Sequence, residues 1–214
     1  VFRVGFCVSG KGNLFKSAVQ AQDVLGIKPA LLITDEKAVD FDAFCRTNEI
    51  KYFVLDGRDR KRFDEDLARI CIDADLDLLV LTFDKLLRKK VVKAYESRII
   101  NVHMGLLPSF KGLGALQKAI VAGVKYAGAT VHEVNERMDE GSIVSQCVVS
   151  IRPYDTEETL GKRLYGRLRP MYLQVLQWYA TERVTHDEQG RVWITDADYS
   201  DDIICPRLEL NFDC

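Results

Sequence analysis

Two polar side chains interrupt an otherwise apolar run at Ile99-Ile100-Asn101-Val102-His103. On a strand, residues two apart project from the same face, so the Asn101 amide and the His103 imidazole would stand side by side. The amide can donate a hydrogen bond and the imidazole can donate or take a proton. A core histidine satisfied at a strand end is the plain alternative. A carboxylate able to join them lies in Val134-Asn135-Glu136-Arg137-Met138-Asp139-Glu140-Gly141. Asp139 precedes a glycine that can take φ > 0, so it is either a turn aspartate or a carboxylate folded back toward His103. In the second case it would raise the imidazole's pKa and relay a proton. The third candidate is Ser9-Gly10-Lys11-Gly12-Asn13, where glycines and a following helix start could offer backbone N–H groups to an anion. It is neither GxGxxG nor a Walker loop, and a simple tight turn accounts for it equally.

These candidates sit at the carboxyl ends of expected strands, which is where ligands bind in open parallel sheets. Val1–Val8 reads as a buried strand and Asn13–Leu25 as a helix stopped by Gly26. Lys28–Thr34 is a second strand, Ala38–Asn48 a short helix, Ile50–Leu55 a third strand and Asp59–Ala74 a charged amphipathic helix. Leu76–Thr82 follows as a fourth strand, Lys85–Ala94 as a helix and Arg98–His103 as a fifth strand. This alternation predicts an α/β class: a mostly parallel, Rossmann-like sheet with helices on both faces. Gly112–Gly123 is then a helix, Ala129–Val134 and Ile143–Ile151 form a C-terminal hairpin or antiparallel portion, and Thr156–Ala180 is a long helix that Pro170 could kink. Residues 1–183 are expected to form one domain and 184–214 a polar tail with one short strand, Val192–Thr195.

Composition narrows the classes. The chain has 214 residues, 47% hydrophobic and 29% charged, with a net charge of −2. That length buries roughly 70% of the unfolded surface without a disulfide or metal staple. The charge balance argues for neither nucleic acid nor membrane as partner. The longest apolar runs, Leu76–Phe83 and Pro29–Thr34, are far shorter than the roughly 20 residues of a membrane helix. Val1–Ser9 lacks the pattern of a signal peptide, and the absence of an initial Met fits a trimmed start. The six cysteines form no CxxC pair and have no histidines at ligand spacing, so no metal site is expected. Reduced, buried thiols and a cytoplasmic location are the expectation.

Taken together, Asn101-Val102-His103, Leu106-Leu107-Pro108 with Gly112, Ala129-Thr130-Val131-His132 and Met138-Asp139-Glu140-Gly141 resemble the folate-dependent formyltransferase family. The likeness runs from about Phe2 to Arg183 and is closest to the purine-synthesis branch, whose acceptor amine is glycinamide ribonucleotide. The resemblance implies formyl transfer from 10-formyltetrahydrofolate to a primary amine, with Asn101, His103 and Asp139 as the catalytic set and no metal. It places the pterin against Phe83, Lys85, Leu86 and Leu87, with Asn135, Glu136 and Met138 closing the other side. It assigns Gly10, Lys11, Gly12 and Asn13 to the substrate phosphate.

The departures from the family pattern fall on the amine side. The G-x-G-S-N phosphate turn is here Gly10-Lys11-Gly12-Asn13-Leu14, with Ser-Asn replaced or shifted by one. Leu168 stands about where that branch has a glutamate, and Tyr165 is nearby. Met104-Gly105 replaces the usual Pro-Ser, and Leu113-Gly114-Ala115-Leu116 lacks the usual histidines. Lys11, Lys16 and Lys111 are further candidates for a phosphate. The alternatives are an amino-sugar-nucleotide or hydroxylamine formyltransferase, a 10-formyltetrahydrofolate hydrolase, or a folate- or nucleotide-binding α/β module without turnover. Hydrolases of this kind usually carry an extra domain ahead of the core. Methionyl-tRNA formylation is disfavoured by the acidic tail with Asp196, Asp198, Asp201 and Asp202.

Overall fold

The computed structural model describes residues 1–35, 39–82, 87, 89–135 and 139–211. Within residues Val1–Asn101, the first compact unit, the chain runs β1 (Phe2–Val8), α1 (Asn13–Gln20), α2 (Gln22–Leu25), β2 (Ile27–Thr34), α3 (Val39–Thr47), β3 (Lys51–Val54), α4 (Arg60–Asp73), β4 (Leu78–Thr82) and α5 (Lys89–Ala94). β5 (Ile99–His103) then continues into the second unit, Val102–Cys214. There follow α6 (Ala115–Val121), β6 (Tyr126–Glu133), β7 (Ile143–Ser150), α7 (Glu157–Ala180), β8 (Val184–His186), β9 (Val192–Ile194) and β10 (Ile204–Cys205).

The eight-stranded sheet has the order β10-β7-β6-β5-β4-β1-β2-β3. β1 pairs in parallel with both β2 and β4, β2 with β3, and β4 with β5. The continuous apolar runs are explained by this placement: Val4, Cys7, Leu32, Ile33 and Leu78 to Val80 are all buried to 1% exposure or less. β6 and β7 form the antiparallel portion, and β10 adds to β7. The expected mixed, mostly parallel α/β architecture is the observed one.

Several boundaries differ for local reasons. The first helix breaks at Ala21 (φ −99°, ψ 6°) into α1 and α2, and Gly26 ends α2 in the left-handed region (φ 67°). α6 starts at Ala115 and not at residue 112, because Gly112 (φ 74°) and Gly114 (φ 68°) hold left-handed conformations that no helix accepts. The expected helix Lys85–Ala94 is observed from Lys89; Leu87 lies outside any helix, and residues 85, 86 and 88 lie outside the described residues. α7 continues past Pro170 to Ala180.

The segment 184–214 carries more than the one expected strand. β8 pairs with β9, β10 joins the main sheet, and Ser145 Oγ donates to the Cys205 carbonyl at 2.9 Å. Farther on, the Gln174 side-chain oxygen accepts the N–H groups of Glu209 and Leu210, and Arg183 pairs with Glu209. Apart from the local β8–β9 hairpin, these partners are distant in sequence, so hydropathy alone reads the segment as polar.

α7 is fixed at its start by a capping box: Thr156 accepts from the Thr159 N–H, and the Thr159 side chain accepts from the Thr156 N–H. Asp155 accepts both terminal nitrogens of Arg163 at 2.7 Å, which holds its carboxyl well below the usual carboxylate range. Thr156→Ala is therefore expected to cost about 1 kcal/mol and to lower Tm by roughly 2–4 °C. Because the folded-state pKa of Asp155 is depressed, its contribution is complete above the unfolded carboxylate range near ~3.9 and is lost as pH falls through the folded value. Asp155→Asn should accordingly lower Tm at neutral pH, with the gap to the parent closing in acid. Thermal unfolding across pH checks both.

Candidate active site

His103 ends β5 and is buried to 8% exposure. Beyond it the chain doubles back through a cis Leu107–Pro108 bond and a left-handed Phe110 (φ 54°). This turn brings the Phe110 carbonyl to 3.0 Å from His103 Nε2. A carbonyl can only accept, so Nε2 carries the proton and the Nδ1 edge is the one left for chemistry. The turn itself is clamped from β6 and β7. The Thr130 hydroxyl donates to the Gly105 carbonyl at 2.7 Å and accepts the Leu107 N–H at 3.1 Å. The cross-strand neighbour of Thr130, Gln146, donates to both Thr130 Oγ1 and the Leu107 carbonyl at 3.0 Å.

Asp139 faces that Nδ1 edge, its Oδ2 lying 3.7 Å from Nδ1. The separation is an ion-pair distance but too long for a hydrogen bond. The same oxygen accepts the Gly112 N–H at 2.9 Å, and Oδ1 lies 3.6 Å from His132 Nε2. Asp139 thus stands between two imidazoles. It reaches them through its own left-handed backbone (φ 52°), not through a positive φ at the following glycine. Gly141 serves a different need: a Cβ there would come within 1.7 Å of the Glu133 carbonyl oxygen, so only glycine lets the loop return this close to β6. A register shift between Val131 and His132 adjoins the loop, a common position for bulges near reactive groups.

His132 belongs to the segment 129–132 quoted above but was not among the expected site residues. Burial pushes its pKa down, outweighing the opposing pull of the Glu133 carbonyl and of Asp139. Its Nδ1 donates to the Glu133 carbonyl at 2.7 Å, so a neutral ring turns its lone pair toward Asp139. Glu133 was also missed. Its buried carboxylate accepts from the Tyr179 hydroxyl at 3.0 Å and pairs with His186 at 2.9 Å. Burial and the Glu133 charge push the Tyr179 phenol well up. A glutamate closing an apolar strand was the only sign of it in the sequence.

The other expected positions divide as follows. Asn101 lies two residues before His103 on β5, half-buried and opposite Leu81 in register. Asn135 is exposed and donates to the Glu140 carbonyl at 3.0 Å, and Leu87 is half-buried. Phe83, Lys85, Leu86, Glu136 and Met138 lie outside the described residues. Gly10, Lys11 and Asn13 are exposed around the start of α1. Gly12 has φ 61°, and a Cβ there would sit 2.5 Å from the Phe41 ring, so the turn admits no larger residue. Lys111 is paired with Glu140 at 2.8 Å, and Lys16 lies over the Phe41 ring. Leu168 is buried to 1% exposure within α7. No helix among the described residues is long and apolar enough to cross a membrane.

Comparison with known proteins gives one consistent result. The profile of the formyl transferase family matches residues 2–176. A chloroplastic phosphoribosylglycinamide formyltransferase of Arabidopsis thaliana is 30% identical over 195 residues, 86% of this chain and 67% of that protein. The trifunctional purine biosynthetic protein adenosine-3 of Gallus gallus is 36% identical over 134 residues, 62% of this chain but only 13% of that much longer protein. The crystal structure of glycinamide ribonucleotide transformylase 1 from Symbiobacterium toebii superposes with a TM-score of 0.85 at 30% identity, covering 92% of this chain and 95% of that one. With a family match over most of its length, this chain belongs to the formyl transferase family and is a folate-dependent formyltransferase.

Proposed function

We propose that this chain transfers a formyl group from 10-formyltetrahydrofolate to the amine of glycinamide ribonucleotide, with Asn101, His103 and Asp139 as its catalytic residues. The observation that carries the reading is the buried His103–Asp139 pair, in which Nε2 is tied to a carbonyl and Nδ1 faces the carboxylate. Such a donor set fits a formyl group: a carbonyl oxygen that gains negative charge needs N–H donors, and an attacking amine needs an acceptor for its proton.

When bound, 10-formyltetrahydrofolate supplies an electrophilic formyl carbon. Protonated His103, through Nδ1, and the Asn101 amide donate to the formyl oxygen as charge develops there. Each such donor is worth ~3 kcal/mol in the transition state. Asp139 keeps His103 charged and accepts the proton that the amine gives up as its lone pair closes on the formyl carbon. That proton is delivered to N10 as the old C–N bond breaks and leaves its electron pair on nitrogen, so atoms and charge balance. Gly112, by donating to Asp139, keeps the carboxylate aimed at His103 while the proton moves. Leu87 and Asn135, with Phe83, Lys85, Leu86, Glu136 and Met138, are proposed to receive the pterin. Gly10, Lys11, Gly12 and Asn13 are proposed to take the phosphate through exposed backbone N–H groups.

A second reading, another amine as acceptor, is favoured by Leu168 alone, whose buried side chain offers no polar group to a ribose. The initial rate of tetrahydrofolate release with and without glycinamide ribonucleotide separates the two. Strong stimulation is the expected result, whereas a slow rate indifferent to that amine would leave formyl chemistry with a different acceptor.

His103→Ala and Asn101→Ala are each expected to lower kcat by about 10²–10³ with the fold intact, checked by steady-state rates beside circular dichroism. Asp139→Asn should lower the rate by about 10²–10⁴ and flatten its pH dependence, because the neutral amide neither holds His103 charged nor accepts a proton.

A further inference from the structure

A cavity of about 150 Å³ lies entirely within the second unit, walled by Met104, Leu106, Phe110, Leu116, Ala119 and Ala127 among others. Its polar side chains are confined to Ser109 and Tyr126, both exposed to solvent, and Tyr126 is 61% exposed. The space persists because small residues face it. Ala115, Ala119 and Ala127 are almost fully buried yet too short to fill it. Gly128 has no room to grow, since a Cβ there would come within 2.2 Å of the Cys147 carbonyl oxygen.

Two further observations connect this space to the reacting centre. Gly105 lies between the cavity and His103: a Cβ on it would sit 2.7 Å from His103 Nε2 and 3.0 Å from the Ala115 methyl. Phe110, another wall residue, supplies the carbonyl that holds Nε2. Moreover, Met104-Gly105, which stands in place of Pro-Ser, lines the cavity, as do Ala115 and Leu116 from the segment Leu113–Leu116 that lacks the usual histidines.

We propose that this cavity is a binding site for a single apolar ring or short branched alkyl group, and that its occupant adjusts His103 through Gly105 and the Phe110 carbonyl. The size suits such a group: the space of about 150 Å³ is apolar along its inner wall and open to solvent beside Ser109 and Tyr126, room for one ring and not for a larger ligand. A cavity retained beside a reactive imidazole, with an exposed hydroxyl and phenol at its edge, is suited to a small aromatic molecule whose polar substituent points outward. The coupling follows from contact. A ring against Gly105 and Phe110 presses on the two backbone segments that define the Nε2 side of His103, so occupancy shifts the Nε2–H hydrogen bond.

The test is a titration of the full chain with benzene, followed by the methyl NMR signals of Met104, Ala119 and Ala127 and by the imidazole signals of His103. It needs no turnover, so its outcome is independent of the identity of the amine. Saturable shifts at the three methyls, accompanied by movement of the His103 signals, are expected. Ala119→Leu fills the space and should raise the half-saturating benzene concentration about ten-fold or more. Should that variant fold poorly, Leu116→Ala enlarges the cavity and should admit naphthalene, which the parent excludes. Absence of saturable shifts in the parent, or binding unchanged by both substitutions, overturns the site. Binding that leaves the His103 signals in place overturns the coupling.

Discussion

The arrangement depends on one carboxylate held in place by the backbone. Asp139 accepts the Gly112 N–H and lies within ion-pair distance of His103 and of His132. A carboxylate between two imidazoles would be ambiguous if both could be charged. Burial pushes the His132 pKa down, so the two rings do not face the carboxylate as equals. Each tautomer is set by a carbonyl: Phe110 for Nε2 of one ring and Glu133 for Nδ1 of the other. The chemistry of the site is therefore decided by backbone groups that side-chain identity alone does not disclose.

Those backbone groups are in turn placed by contacts that cross long stretches of sequence. Thr130 and Gln146, paired across β6 and β7, hold the turn that carries the Phe110 carbonyl. Gly141 lets the Asp139 loop return against β6, and Lys111 pairs with Glu140 at the same loop. Behind it, Glu133 is satisfied by Tyr179 from α7 and His186 from β8. Polar groups of this unit thus run in series from His186 on β8 through Glu133, His132 and Asp139 to His103, whereas the buried Tyr172 hydroxyl has no hydrogen-bond partner among the described residues.

Much of this was legible in the sequence because the signals are local. Apolar runs marked the parallel strands, Gly26 marked a helix end, and two polar residues in a strand marked Asn101 and His103 as candidates. Asp139 was identifiable from its loop, although the reason given for its geometry was displaced: the positive φ belongs to Asp139 itself, and Gly141 is needed for close approach. What escaped was non-local. His132 and Glu133 sit in an apolar strand and gain their roles only from a loop and a helix that arrive later in the chain. β9 matches the short strand expected at Val192–Thr195, whereas β10 was hidden because it exists only where β7 offers an edge. Lys111, a plausible anion ligand on charge alone, is paired with a glutamate brought close by folding.

The central claim of the proposed mechanism is that His103, and not His132, is the imidazole that stands protonated toward the formyl oxygen, while Asp139 takes the amine's proton. The most direct test follows the ¹⁵N signals of both rings across pH in the wild-type chain, beside the rate of formyl transfer in the same buffers. The account predicts that His132 remains neutral with its proton on Nδ1, while His103 titrates at Nδ1, keeps its proton on Nε2, and gives a titration curve that the rate follows. A rate that follows protonation of His132, or a neutral His103 carrying its proton on Nδ1, would contradict it.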